Sequence, residues 1–449
     1  MQNSSMALSE RSNQVGVATV PPVASSRVAS VDAFRGLTIL LMIYVNDLGP
    51  GAPAWMHHIQ PPDADGMTLA DIVFPWFLFL VGMSIPLAFE RAQATGKTKL
   101  AQLGHVLVRT AGLLLMGVIL YNVEETPTPQ GRLWGVLAST ALVLAWCVVP
   151  RERSGKRALM LALKILGIVS LLILLALYRH EPGPAEFPFW GRVEDWVWLR
   201  TGWWGILGLI GWAYLTVALL VLVLGWRREW LMGAMALLIV MHVAMNHGGL
   251  LSRLDTKSWL GPVAQPLAAL AHGIYRFDDF VGLGDALGSL AAITMAGCLL
   301  GTILRRDSDI TTHRARLGWA GTFTIGLLLA GLVTDTFEGI NKIAATPTWC
   351  LWSAALGCVV WMLLYLVLDV AGVRGWSVPV RAAGANPLVA YFLHPIVVEV
   401  IALAGLGGTL LAYKHAADPW QVMGGSLAMA ILVCAAAGLL GRVGLRMRL

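Results

Sequence analysis

Apolar residues in this chain come in long unbroken blocks, not in the narrow stripe of a helix that turns one face to water. Twelve blocks reach the roughly 17–25 residues needed to span a bilayer core. They are 31–49, 69–90, 103–122, 133–150, 158–178, 203–225, 230–249, 284–304, 317–336, 348–372, 386–407 and 422–441. The seventh is the weakest, because it holds His242, Asn246 and His247. The pattern predicts an all-α, polytopic membrane bundle of 11–12 transmembrane helices. Residues 1–27 are polar, rich in Ser, and read as a disordered cytoplasmic tail without a cleavable signal. Residues 28–449 then form a single transmembrane domain. Two long connections, 179–202 and 250–283, are expected on the outer face.

Composition agrees with the block pattern. Of the 449 residues, 57% are hydrophobic and 13% charged, where a soluble domain has roughly 25% charged. With the amino terminus placed inside, inner loops and helix ends hold 22 Arg and Lys against 9 outside. That bias predicts twelve spans with both termini cytoplasmic. The net charge of +6 is thereby a topology signal and not a nucleic-acid footprint. The five cysteines fall in apolar blocks without CxxC or Cys/His zinc spacing, so they read as packing residues.

Candidate chemistry gathers around the first two blocks, residues 27–88. The first is entered through Asp32 and Arg35 and left through Asn46 and Asp47. Asp32 and Arg35 are three apart and share a helix face. They read either as a local ion pair or as a site for anionic phosphates. His57 and His58 follow in the first outer loop. An imidazole there can take a proton from an amine or hydroxyl, and the Asn46 carboxamide can orient it or hold a developing oxyanion. The alternative is a pair of interfacial histidines that cap helix ends. Asp71 opens the second block as an N-cap and is close enough in sequence to orient an imidazole. Asp63 and Asp65 with the histidines fit no metal-ligand spacing, and no metal is expected. Asn386 reads as a helix cap, and Tyr391 and His394 follow on the eleventh block. Asp285, Thr294, Asn341 and Lys342 are weaker candidates, His242 reads as a satisfied core residue, and Asp335 and Asp369 read as solvated charges.

Several of these segments together resemble a known family. SVDAFRG, VN at the helix end, the His-bearing loop and DGMTLADIVFPWFLFLVGMSIP resemble the transmembrane heparan-α-glucosaminide N-acetyltransferase family, bacterial members above all. WWGILGLIGWAYL, DALGSLAAITMAGCLLG, INKIAATPTW and GANPLVAYFLH extend the likeness over residues 28–405. The resemblance implies eleven spans, acetyl-CoA as cosubstrate from the cytoplasmic side, and transfer of acetyl to an amino sugar or other surface saccharide outside. It implies a catalytic His in the first outer loop and an Asn matched by Asn46. Counting forward from Asn46 favours His57. The W-x-x-H pattern of related loops, Trp55–His58, favours His58, the residue chosen here, with His57, Asn46 and Asp71 beside it. Arg35, Asp32, Asn386 and His394 are the implied acetyl-CoA contacts. Direct transfer and an acetyl-histidine intermediate both remain open. The setting implied is a bacterial inner membrane, with lipids, a saccharide or glycan acceptor and a second copy of the chain as partners, and no nucleic acid. Two rivals stand beside this reading. One is a membrane transporter, for which no matching broken helices are found. The other is an O-acetyltransferase of surface polysaccharides, whose first span usually carries a His where this chain has Asn46.

Overall fold

A computed structural model of the chain describes residues 28–124, 128–150, 155–179, 192–193, 196–246 and 283–447, with the single positions 269 and 273. The predicted tail 1–27, most of 179–202 and nearly all of 250–283 lie outside the described residues. Among the described residues every apolar block is a helix. They are α1 (Ala29–Asp47), α2 (Leu69–Ala94), α3 (Lys99–Glu124), α4 (Pro129–Ala145), α5 (Gly155–Leu177) and α6 (Gly205–Leu224). Then come α7 (Arg228–Asn246), α8 (Leu290–Thr302), α9 (His313–Glu338), α10 (Pro347–Tyr365), α11 (Pro387–Leu403) and α12 (Pro419–Val443). Nine of the described helices are long and apolar enough to cross a membrane, and the helices of α8 and α11 are shorter apolar ones. The protein is an integral membrane protein of the all-α, polytopic class.

What faces outward fits lipid. Leu172, Ile173, Leu329 and Val333 are each more than half exposed, and α5 and α9 carry most of their apolar residues on the surface. Leucine-rich helices gain nothing by leaving hydrocarbon, so a membrane bundle must be held by close backbone approach. The centre shows this. All of α8 is buried, against α2, α6, α7 and α10. A Cβ on Gly82 of α2 would lie 1.8 Å from the Thr294 carbonyl, and one on Gly297 of α8 would lie 1.9 Å from the Phe79 carbonyl. Each helix thus presents a glycine to the other's backbone.

The start of α1 is fixed by a long-range contact. Asp369, just beyond α10, accepts the N–H groups of Ala29 (3.1 Å) and Ser30 (3.0 Å). The sequence reading of Asp369 as a solvated charge is therefore corrected: it caps α1. A seven-residue helix, Val378–Gly384, packs on α1 where Gly36 lets the Val380 carbonyl approach.

Gly297→Leu should destabilise the bundle, by more than the roughly 1–3 kcal/mol of ordinary overpacking, because the obstacle is backbone. Gly326→Leu on α9, where a Cβ meets nothing, should be neutral. Thermal unfolding of the detergent-purified protein separates the two, and equal melting temperatures would refute the α2–α8 seam.

Candidate functional site

The loop between α1 and α2 makes one 3-10 turn, Ala54–Met56, and then carries both histidines. Its anchor is Asp71, whose side chain is 1% exposed. Asp71 Oδ1 lies 2.7 Å from His58 Nδ1. Its Oδ2 accepts the N–H of Ile59 (3.2 Å) and of Thr68 (3.1 Å). The Thr68 hydroxyl is shared between Oδ2 and the His57 carbonyl. At 2.7 Å a proton lies between carboxylate and imidazole. With Asp71 ionised that proton sits on Nδ1, so Nε2 is the ring nitrogen turned away from the carboxylate and the one placed to serve as base or nucleophile. His58 is 49% exposed, so one ring edge is fixed and the other is open. His57 faces differently: its Nε2 is buried without a hydrogen-bond partner.

A cation completes the group. Lys342 Nζ lies 3.1 Å from His58 Nδ1, 3.4 Å from Nε2 and 3.9 Å from Asp71 Oδ1. Burial pushes the Lys342 pKa down, and the charge of Asp71 opposes it. The α9–α10 loop that carries Lys342 is tied to the histidine loop through backbone. Ile340 N–H donates to Asp65 Oδ1 (2.7 Å), and Gly66 N–H to the Ile340 carbonyl (2.8 Å). The Asn341 carboxamide donates to the carbonyls of Pro62 (2.8 Å) and Ala64 (3.1 Å). Trp349 on α10 closes the arrangement by donating to the Asp71 carbonyl (3.1 Å).

A second feature lies along α1. A cavity of about 770 Å³ runs beside that helix from Val28 to Met42, against α2, α3, α6 and α11. Fourteen residues of helix are roughly 21 Å, much of a bilayer core. One end holds Arg35, Arg91, Arg109, Arg381 and Arg446 with Asp32 as the sole carboxylate among the described lining residues; the rest is mostly apolar and includes Phe77, Leu113, Ile206 and Tyr391. Arg35 bonds Asp32 (3.2 Å) and the Ser84 hydroxyl (3.1 Å), so the expected pair forms and both members face the cavity. Arg109 stacks over Tyr214 at 4.6 Å, and its Nε is buried without a partner. Sequence reading singled out Arg35 and counted the other four arginines as topology charges. The available signal was Arg109, which stands inside an apolar block.

Other candidates lie elsewhere. Asn46, on the last turn of α1, is exposed, and among the described residues its side chain makes no hydrogen bond. Its neighbour Asp47 is fully buried and accepts from Lys414 Nζ (2.7 Å) and the Tyr413 hydroxyl (2.6 Å), with His394 Nε2 at 2.9 Å. Burial, together with the carboxylate, pushes the Tyr413 phenol far above its usual pKa. His394 thus engages the end of α1, while Tyr391, one turn earlier, lines the cavity. Asn386 stands at the N-cap without a capping bond. Its carboxamide instead donates to the carbonyls of Ala437 and Leu445 and accepts from Met447 N–H, holding the end of α12 and not lining the cavity. His242 is buried between Asp285 and Glu338, at 3.5 and 3.4 Å, as a partnered core residue.

Asp47→Ala leaves Lys414 and Tyr413 without their shared acceptor in a buried setting, and should cost about 3–5 kcal/mol. Tyr413→Phe removes one hydrogen bond and should cost about 1 kcal/mol. Melting temperatures of the two detergent-purified variants give the comparison; a harmless Asp47→Ala would show the cluster to be incidental.

Comparison with known proteins adds an independent line. Residues 27–244 match the family described as Domain of unknown function (DUF5009). Over 98 residues the chain is 40% identical to heparan-alpha-glucosaminide N-acetyltransferase of Mus musculus, covering 22% of this chain and 14% of the relative. Over 106 residues it is 37% identical to the Homo sapiens protein of the same name, covering 24% and 15%. The matches thus span about one-seventh of the relatives' length and about a quarter of this chain, a smaller stretch than the 28–405 over which motifs resemble the family. The chain is related in sequence to these N-acetyltransferases over that part.

Proposed function

We propose that this protein is a membrane-embedded acetyltransferase that takes acetyl-CoA at the arginine end of the cavity and passes its acetyl group to an amine or hydroxyl of a saccharide at the histidine loop, beyond the cavity's other end. The observation that carries the reading is the cavity itself. Coenzyme A is a polyanionic nucleotide head on a long, thin, largely uncharged arm. The cavity has five arginines at one end and a mostly apolar channel ending at Met42, one helical turn before Asn46. Arginine suits phosphate because its planar fork donates in pairs, and the unpartnered Arg109 Nε is a donor in want of an acceptor. The likeness to two N-acetyltransferases supports the same reaction class.

The chemistry asked of the chain is modest. An acceptor amine in its neutral form attacks the thioester carbonyl. The C–S bond breaks, CoA departs as the thiolate, and the amine proton goes to His58 Nε2. Asp71 holds the proton on Nδ1 and stabilises the imidazolium that results. Asn46 stands at the end of α1 as a donor for the developing oxyanion. The excess of basic residues on one side supports a cytoplasmic arginine end, where acetyl-CoA is made, in a bacterial inner membrane. The acceptor is then reached from outside.

His58→Ala should lower turnover about 10²–10⁴-fold while CoA binding persists, and His57→Ala should be milder. Transfer from labelled acetyl-CoA to a panel of amino sugars, by protein purified in detergent, tests this. Full turnover in both variants would sink the assignment of the loop.

Arg35→Ala tests the donor site. Loss of a charge-assisted hydrogen bond costs about 1.5–3 kcal/mol, so the concentration of acetyl-CoA at half-maximal rate should rise about ten- to hundredfold. The requirement for acceptor should barely move. Equal effects on both would reduce Arg35 to a structural partner of Asp32.

A further inference from the structure

The approach of a lysine to the His58–Asp71 pair is not needed to build either loop. Lys342 is placed by backbone, through the bonds of Ile340, Gly66 and Asn341 that join the α9–α10 loop to the histidine loop. Its ammonium arrives 3.1 and 3.4 Å from the two ring nitrogens of His58. Nδ1 has one in-plane position, and Asp71 at 2.7 Å occupies it. Lys342 therefore cannot donate to Nδ1 while the Asp71 bond stands. Its charge nevertheless lies within 4 Å of both ring nitrogens.

A carboxylate alone would drive His58 toward imidazolium, which has no lone pair on Nε2 and is useless as a base. A cation at equal range drives the other way. The charged groups in contact with His58 are Asp71 from α2 and Lys342 from the α9–α10 loop; the other titratable residues of its own loop are His57, the exposed Asp63 and the exposed Asp65, whose Oδ1 is held by Ile340 N–H. Asp71 and Lys342 are the two within 4 Å that carry opposite full charges.

We propose that Lys342 is a positioning residue that keeps His58 in its neutral, Nδ1-protonated form by setting a fixed cation against the Asp71 carboxylate. The proposal rests on the reading of His58 as the base. The Lys342 ammonium lies nearer to Nδ1 than to Nε2, on the Asp71 side of the ring, so an acceptor can approach Nε2 while the lysine stays beside Asp71. The device leaves the orientation supplied by Asp71 in place and cancels the protonation that the same carboxylate would cause.

Diethyl pyrocarbonate modifies the unprotonated imidazole, and mass spectrometry reads each histidine peptide separately. The full chain in detergent is labelled from pH 5 to pH 9, with the exposed His415 as internal reference. Lys342→Met should move the midpoint for His58 upward by about 1–3 pH units, the range of a nearby full charge, and Lys342→Gln, measured in parallel, should do the same. Lys342→Arg should leave the midpoint within a few tenths of a unit, and Asp71→Asn should lower it. A midpoint unmoved in both neutral variants, or moved equally by Lys342→Arg, would overturn the proposal. The labelling uses neither acyl donor nor acceptor. Failure of the acetyl-transfer reading would show as absent transfer with the labelling shifts intact, and failure of the lysine proposal as absent shifts whether or not transfer occurs.

Discussion

One carboxylate sits where the membrane fold and the candidate chemistry meet. Asp71 stands in the first turn of a helix that must cross hydrocarbon, and an unpartnered charge there would be costly. It is stabilised by accepting from the N–H groups of Ile59 and Thr68 and from His58. The partners that satisfy the carboxylate are the same ones that shape the loop. His58 is held because Asp71 must be satisfied, and the Thr68 side chain fixes the His57 backbone for the same reason. The site is thus a by-product of capping α2, and the α9–α10 loop is joined to it by the bonds of Ile340, Gly66 and Asn341 and by the Trp349 bond to the Asp71 carbonyl.

That arrangement needs a rigid frame, because hydrocarbon supplies no force to press one helix on another. The frame is the glycine seam of α2 with α8, where backbone meets backbone. With α2 immobilised against a fully buried helix, Asp71 at one of its ends and Arg91 at the other keep a fixed separation. Arg91 and Phe77 lie on the cavity wall, so the same helix joins the arginine cluster to the histidine loop. The long α1 does so independently, with Arg35 near its start and Asn46 at its end.

The helices were legible from sequence because bilayer thickness dictates block length, and a block of apolar residues that long has few other uses. The Asp32–Arg35 pair was legible for a local reason, helical spacing. Proximity in sequence pointed to the contact of Asp71 with the histidine loop, and the structure makes that contact through Nδ1 of His58. Long-range roles were hidden. Nothing in the neighbourhood of Asp369 says that it caps a helix 339 residues away, and Asn386, a cap by local pattern, instead binds the end of α12. Arg381 and Arg446 look like loop charges until a short helix and the chain's last turn bring them to the cavity. Asp47 passed as one polar residue among several at a helix end, yet it is the buried one and Asn46 the exposed one. One residue of register, about 100° of helix, decides between them.

That rotation also separates two tasks at the end of α1. Asp47 turns inward and takes three partners from α11 and the 412–415 turn, which fixes the helix end by a buried charge network. Asn46 is thereby turned outward, and among the described residues its side chain makes no hydrogen bond. The buried Asp47 fixes the backbone of the last turn of α1, and the helical rotation leaves the adjacent Asn46 side chain at the surface.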